Sequence, residues 1–593
     1  MPENSVRTRT GLSRRQVLAA SGTGLLAATT SAVPASAATG STVRNRSAAS
    51  GSGDGTPEQI HLTWGEDPAT SVVMSWASPG RSVRPRVRIG QRVIPAKERV
   101  YADGLNGETV WTYHACVTGL RPGATYGYAV TADNDTNSAD PFSATFTTAP
   151  EGRKKFRFTS FGDLATPNTQ WTLSYGQAAY AVGAVESFQP LFHLLNGDLC
   201  YADLNPAAQP EVWRDFGNNN QASAAHRPWM PVPGNHETEF NNGPQGFTSY
   251  LARYTLPSNG CGEFEGRWYS FRVGSVLFVS LSADDVVYQD AGAFVAGPSA
   301  FVPASSTGNP PIPAGTSLYI NGYSGGAQTR WLAATLEAAR QDPSIDWIIA
   351  QMHQCACSSS QNGNGSDGGI RAEWLPLFDK YEVDLVLCGH DHDYERSFPV
   401  RGFDHSAGTP AAGLAAADGT VPASGTVVDT WRPRPVTTTD SGVFDTSQGT
   451  VHLILGCGGT NANLDAYGSD TADGLPQARV FTQANRPALS STPGVYARAG
   501  ADAVEDAVWS ARRDTSSAYG IAVFDVDPGT EAGGQTSITV THYHAVGADP
   551  VNPATGAAGA PTDDYTEFET FTLVRPRSDK RRWHAREGAA VRA

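Results

Sequence analysis

Between Phe156 and His392, short apolar runs alternate with helix-length stretches, and the apolar runs lead into small or polar residues. Phe156–Ser160 runs into Gly162-Asp163, and Leu191–Leu195 into Asn196-Gly197-Asp198. Trp347–Ala350 leads to His353, and Val383–Leu387, broken only by Asp384, leads to Gly389-His390-Asp391-His392. Gln177–Phe188, Arg330–Arg340 and Ala372–Tyr381 read as helices, the second with Trp331, Leu332 and Leu336 at helical spacing. Strand and helix repeated in this way predict a mainly parallel sheet with crossover helices. Such sheets place their sites in the crevice beyond the strand carboxyl ends. Two imidazoles one residue apart in that position can serve two adjacent metals.

At 593 residues the chain exceeds one compact core, so two or more domains are expected. Ile60–Trp64, Val72–Trp76, Arg86–Ile89, Thr112–Val117, Thr125–Val130 and Ala144–Thr147 read as short strands at sandwich spacing. The turn and strand from Leu120 through Thr125-Tyr126-Gly127-Tyr128 resemble those of fibronectin type III domains. We therefore place a β-sandwich over 56–149, a linker at Ala149–Gly152, and the α/β domain over 153–575. The sandwich carries no catalytic cluster and is expected to pack on the next domain or shape its cleft. Val451–Leu455, Gly520–Val526, Ser537–His542 and Glu567–Val574 are expected to complete a second sheet. His542 and His544 alternate along such a strand and read as surface or core residues. The loops 284–328 and 403–448 are rich in Gly, Pro, Ser and Thr, and residues 576–593 form a basic tail.

Ser13-Arg14-Arg15-Gln16-Val17-Leu18 opens an Ala-rich apolar segment that closes with Ala35-Ser36-Ala37. A twin arginine, a modest apolar region and small residues at the end read as a Tat export signal over 1–37, cleaved after Ala37 or Ala38. Residues 38–55 follow as a Ser/Gly-rich leader. The mature protein is expected outside the cytoplasm with no membrane span. A net charge of −15 argues against nonspecific nucleic-acid binding. Seven cysteines leave at least one unpaired, and Cys355-x-Cys357 lacks the second pair that a thiolate zinc site needs.

Five clusters now stand in order: Gly162-Asp163-Leu164-Ala165, Gly197-Asp198-Leu199-Cys200-Tyr201, Gly234-Asn235-His236-Glu237, Gln351-Met352-His353 and Gly389-His390-Asp391-His392. Together they resemble the signature of the purple acid phosphatases, within the calcineurin-like metallophosphoesterases. The sandwich ahead of them matches the plant-type and bacterial arrangement. The resemblance implies a four-layer α/β domain of two mixed sheets flanked by helices. It also implies a dinuclear centre of Fe(III) plus a divalent Fe, Zn or Mn. Carried over position by position, Asp198 would bridge the metals. Asp163, Tyr201 and His392 would hold the ferric ion, and Asn235, His353 and His390 the divalent one. His236 would be the catalytic residue near substrate, with Glu237 and Asp391 as orienting partners. Tyr394-Glu395-Arg396 would give structural support, with a phosphate contact open to Arg396. The implied reaction is hydrolysis of small phosphomonoesters by direct attack of a metal-bound hydroxide, without a phosphoenzyme and with an acidic optimum.

Two departures stand out. Ala165 occupies a position where the family usually has Gly, which adds strain if the turn needs positive φ. The stretch Gln354–Asp367 contains no histidine, whereas plant enzymes carry one there as a candidate acid. Leaving-group protonation is then left to His236, Asp367, a metal-bound water or solvent. A phosphodiesterase or nucleotide pyrophosphatase on the same scaffold is the nearest alternative. A degenerate extracellular binding protein is disfavoured by the complete ligand set, and a PhoD-type alkaline phosphatase by the order of the blocks.

Overall fold

A computed structural model describes residues 53–239, 241–289, 321–361, 364–405, 407–410, 428–460, 466–482, 486–487, 496–497, 503–517, 519–544 and 565–580. The signal reading over 1–37, the leader up to residue 52, most of the loop 284–328, part of the loop 403–448 and the tail beyond Lys580 lie outside the described residues.

The first eight strands form two antiparallel four-stranded sheets. Glu58–Trp64, Val72–Ser78, Thr109–Val117 and Lys97–Ala102 pair in that order, and so do Arg92–Pro95, Arg86–Ile89, Thr125–Thr131 and Ser143–Thr147. Ile60, Met74, Trp76, Tyr113, Val130 and Phe146 fill the space between them. Two of these strands, Arg92–Pro95 and Lys97–Ala102, escape the sequence reading. Both are edge strands exposed along almost their whole length, so neither shows the buried–exposed alternation that marks a strand.

Two seven-stranded sheets follow. In the first, Trp229–Pro231, Phe192–Leu195 and Phe156–Phe161 run parallel. Gly520–Asp527, Gln535–His544 and Thr566–Pro576 extend it antiparallel. In the second, Val276–Ser280, Trp347–Gln351, Leu385–Cys388 and Val451–Leu455 run parallel. The antiparallel strands Tyr269–Val273 and Tyr394–Ser397 flank them. The sheets are thus mixed, which corrects the mainly parallel expectation. The late strands do not make a sheet of their own: Val451–Leu455 joins the second and the other three complete the first. Val451–Leu455 and Gly520–Asp527 are buried almost throughout, so composition carries no information about which sheet they join.

Facing side chains of the two sheets interlock. Phe158 and Phe192 of the first sheet both meet Phe278 of the second edge-on, with centroids 5.2 and 5.1 Å apart. Helices Ala178–Phe188 and Gln209–Ala224 cover the outer face of the first sheet, packing on Phe161, Leu195 and Ile521. Ala327–Gln341, Gly368–Glu373 and Leu375–Lys380 cover the second through Leu332, Leu336 and Phe378. Helix, sheet, sheet and helix make the four expected layers. The helix expected over Ala372–Tyr381 breaks at Trp374, and Pro376 opens the second piece, where its missing N–H costs nothing.

Candidate metal centre

Every candidate ligand lies just beyond the carboxyl end of a parallel strand. Asp163 follows Phe156–Phe161, Asp198 and Tyr201 follow Phe192–Leu195, and Asn235 follows Trp229–Pro231. His353 follows Trp347–Gln351, and His390 and His392 follow Leu385–Cys388. Three loops come from one sheet and two from the other, so the ends of both sheets converge on one place.

The turns are tight. Asp163, Asp198, Tyr201 and His390 have φ of 58°, 48°, 60° and 71°, in the left-handed region, and Ala165 sits there too at 60°. The sequence-level concern about Ala165 is therefore realised. Each such residue costs about 1–2 kcal/mol. The surroundings hold them: Asp163 and Ala165 donate their N–H groups to the carbonyls of Gly197 and Leu199 at 3.1 and 3.0 Å. Gly197, with φ of +81°, passes so close to His353 that a Cβ would lie 2.6 Å from its Nδ1. Gly389 leaves no more room, since a Cβ there would meet Asp163 Oδ2 at 2.4 Å.

Two donor sets result. In the first, the Tyr201 hydroxyl donates to Asp163 Oδ1 at 3.0 Å, and His392 Nε2 lies 3.2 Å from both. In the second, His353 donates Nδ1–H to the Asn196 carbonyl at 2.7 Å, which turns its Nε2 into the pocket. That Nε2 lies 3.0 Å from Asp198 Oδ2 and 3.2 Å from His390 Nδ1. The ligand atoms of Asp198, His353 and His390 all fall within 4.8 Å of one another. Asn235 Oδ1 is buried there with no hydrogen-bond partner among the described residues. Converging carboxylates and imidazoles, and an orphaned amide oxygen, are what a cation would reconcile. All seven candidate ligands predicted from the sequence are brought together.

Charge tells the same story. Burial pushes the His353 imidazole down, yet the Asp198 and Asp163 carboxylates outweigh it and raise it to about 10. His390 is held well below its ordinary 6.5 by burial and by His353. Burial, then Asp163 and Asp198, push the Tyr201 phenol well above 10.

His236 projects at the rim, its ring 4.6 Å from that of Tyr201. Its backbone N–H donates to Asp198 Oδ1 at 3.0 Å, and its Nδ1 donates to Asp203 at 2.9 Å. Asp203 is a functional candidate that sequence reasoning passed over. Its role appears only in the fold, where the left-handed Tyr201 turns the chain back so that Asp203 meets His236. Glu237 accepts the N–H groups of Leu199 and Gly234 at 2.8 Å each, tying two ligand loops together. Asp391 accepts from Gly365 N–H at 3.2 Å. One expectation fails, that of Arg396. Asp367 caps helix Gly368–Glu373 and accepts the N–H groups of Tyr288, Gln289, Gly369 and Ile370, while burial outweighs them and raises it to about 7. Arg396 is turned away from the centre, ion-paired with Glu569 and Asp440 and lying over Phe444 and Phe571. All seven cysteines are unpaired, and the Cys355 thiol donates to the Gly389 carbonyl at 3.1 Å.

Comparisons with known proteins agree with this arrangement. Residues 57–149 match the purple acid phosphatase N-terminal domain, and residues 156–394 match the calcineurin-like phosphoesterases. An uncharacterized protein of Mycobacterium tuberculosis is 39% identical over 538 residues, covering 87% of each chain. The Fe(3+)-Zn(2+) purple acid phosphatase 12 of Arabidopsis thaliana is 24% identical, covering 58% of this chain and 66% of its own. The solved structure of purple acid phosphatase PPD1 from yellow lupin superposes with a TM-score of 0.55 at 17% identity, over 88% of this chain and 75% of that one. A β-sandwich followed by two stacked mixed sheets, whose strand ends gather carboxylates, imidazoles and a tyrosine, is the architecture of a metal-dependent hydrolase, and the chain belongs to the purple acid phosphatase family of calcineurin-like phosphoesterases.

Proposed function

We propose that this protein is an exported acid phosphatase that cleaves phosphomonoesters in one step at a centre of Fe(III) and a divalent Fe, Zn or Mn. The observation that carries the reading is the pairing of an oxygen-rich set, Asp163 and Tyr201 with His392, beside an imidazole and amide set, His353, His390 and Asn235, with Asp198 facing the second. Carboxylate and phenolate oxygen favour a ferric ion, while imidazole and amide oxygen suit a divalent one. Two cations held by these sets would supply the charge that clamps a phosphate and activates water. The protein's own part would be to hold them through the two sets, with Asp198 shared between them, and to keep His236 aimed over the site. Asp203 fixes the His236 ring through Nδ1, which leaves Nε2 to donate to the phosphate or to the departing oxygen. His236 is the side chain we assign as acid.

The test is a visible spectrum of purified protein beside its Tyr201→Phe variant, with metal analysis of both. A broad band that vanishes in the variant while iron stays bound supports tyrosinate ligation of Fe(III). A colourless, active wild type carrying two divalent ions sinks the ferric assignment, and a protein that holds no metal sinks the enzyme reading. The histidine-free stretch Gln354–Asp367 keeps phosphodiester cleavage as a second reading, which the ratio of rates on p-nitrophenyl phosphate and bis(p-nitrophenyl) phosphate decides. Export rests on the twin arginine. Replacing Arg14 and Arg15 by Lys should retain the protein inside the cell, and continued secretion of that variant would overturn it.

A further inference from the structure

The loop that carries Asn235 and His236 does not end in its own domain. Glu239, fully buried, accepts hydrogen bonds from Trp213 Nε1 and Ser249 Oγ, and from Asn242 Nδ2 at 2.7 Å. Asn242 is buried as well; besides Gln209 and Ser249 of its own domain at 3.2 and 3.4 Å, its side chain reaches into the N-terminal sandwich. Its Nδ2 donates to Asp103 Oδ2 at 3.0 Å, and its Oδ1 accepts the Gly104 N–H at 2.9 Å. Asp103 and Gly104 form the tip of the hairpin between Lys97–Ala102 and Thr109–Val117. Asp103 Oδ1 accepts the N–H groups of Leu105 and Asn106 at 3.0 Å each, which fixes that tip. The fit is close: a Cβ on Gly104 would lie 2.3 Å from the Asn241 carbonyl oxygen. At the other end of the path, Glu237 grips the backbones of Leu199 and Gly234, beside Asp198 and Asn235.

We propose that the N-terminal sandwich is a positioning element of the metal centre, with Asp103 acting through Asn242 and Glu239 to fix the loop Asn235–Glu237. The inference rests on the reading that Asn235 holds a cation. Sandwich and phosphoesterase domain are then one working unit, because the hairpin tip decides where one ligand stands. Outer hydrogen-bond partners of metal ligands are worth roughly 10–100-fold in affinity, and a path of this length is expected at the lower end.

The experiment uses the full chain, stripped of metal and titrated with Mn(II), for the wild type and for Gly104→Ala, Asn242→Ala and Tyr128→Phe. Tyr128→Phe removes a hydrogen bond from the sandwich to the Ala225 carbonyl at 2.8 Å, elsewhere in the same interface, and so measures general loosening of the domains. Gly104→Ala and Asn242→Ala should weaken one of two Mn(II) sites about tenfold and leave the other unchanged. They should also lower kcat on p-nitrophenyl phosphate more than they raise KM, and Tyr128→Phe should do neither. If the two variants bind both ions like the wild type, or merely match Tyr128→Phe, the inference is wrong. A wild type that binds fewer than two ions defeats the metal reading itself, and the inference with it. Where Asn242→Ala fails to fold, Asp103→Asn preserves size, breaks one of the three contacts of that carboxylate, and carries the same expectation.

Discussion

The Asp163–Tyr201–His392 set and the Asp198–His353–His390–Asn235 set lie side by side, yet they stand differently without cations. The first satisfies itself, because the Tyr201 hydroxyl donates to Asp163 and both lie within 3.2 Å of His392. The second does so only in part: against burial, Asp198 and Asp163 keep a proton on His353, whose Nε2 meets the Asp198 carboxylate at 3.0 Å, but Asn235 Oδ1 has no partner among the described residues. Filling the first set means expelling a proton from a buried phenol held well above its ordinary value, which asks for a strongly polarising ion. Filling the second displaces an imidazole proton, which is held less tightly than that of the phenol, and gives the Asn235 oxygen a partner, so a divalent charge suffices.

The contrast can be broken most completely at Asp198. Asp198→Asn should empty both sets and lower turnover by roughly a thousandfold, the upper end of what one charge-stabilising group supplies. Metal analysis and rates on a phosphomonoester check it, and retention of two ions would remove Asp198 from the bridging role. His236→Gln should cost roughly a hundredfold in kcat with both ions bound, and Asp203→Asn about tenfold. Both losses should grow as the leaving group worsens from p-nitrophenol to an alkyl alcohol. Losses independent of the leaving group would take the acid role away from His236. Sharpening the comparison between the sets, His353→Ala should weaken the divalent ion by about a hundredfold or more while the visible band persists. A band lost together with the divalent ion would mean that the sets are not separable.

Smaller effects test the frame around the centre. Ala165→Gly relieves about 1–2 kcal/mol of left-handed strain and returns about 0.5–1 kcal/mol as freedom of the unfolded chain. The net expectation is a gain of about 0.5–1 kcal/mol in thermal or denaturant unfolding, with activity unchanged. A loss of stability would mean that the Ala165 methyl packs better than its turn suffers. The smallest effect concerns Glu239, which burial raises from an ordinary 4.5 to about 7 against the pull of Ser249, Trp213 and Arg253. Because its folded value lies above its unfolded one, its contribution is complete below pH 4.5 and is lost as the pH climbs through 7. Glu239→Gln should flatten the fall of melting temperature across that window, and an unchanged slope would place the titration elsewhere.

How much of this could be read from the chain differs between site and scaffold. The candidate ligands were legible because each depends on a local event, a strand ending in a glycine or a tight turn followed by a side chain of fixed chemistry. Asp203 was not singled out, because its role arises only when the reversal at Tyr201 brings it under His236. Helix Gln209–Ala224 was missed because it contains Gly217 and a run of asparagines, and is held by Val212, Trp213 and Phe216 against its neighbours more than by propensity. The division of late strands between sheets was invisible for a different reason. Val451–Leu455 and Gly520–Asp527, buried almost throughout, carry no mark of their partner, and only pairing such as Ala522 with Ser160 decides it.

That pairing has a consequence for how the protein comes into being. Phe156–Phe161, which delivers Asp163, lies between Phe192–Leu195 and Gly520–Asp527, so one side of it stays open until the last part of the chain has been made. The second sheet likewise waits for Val451–Leu455 to close over the strand that delivers His390 and His392. Contacts this distant in sequence form late and slowly. A growing chain would therefore carry a half-built cage with an unpaired strand edge beside it, and a nascent chain released before Gly520 should be prone to aggregation and unable to capture a metal ion, however complete its ligand residues.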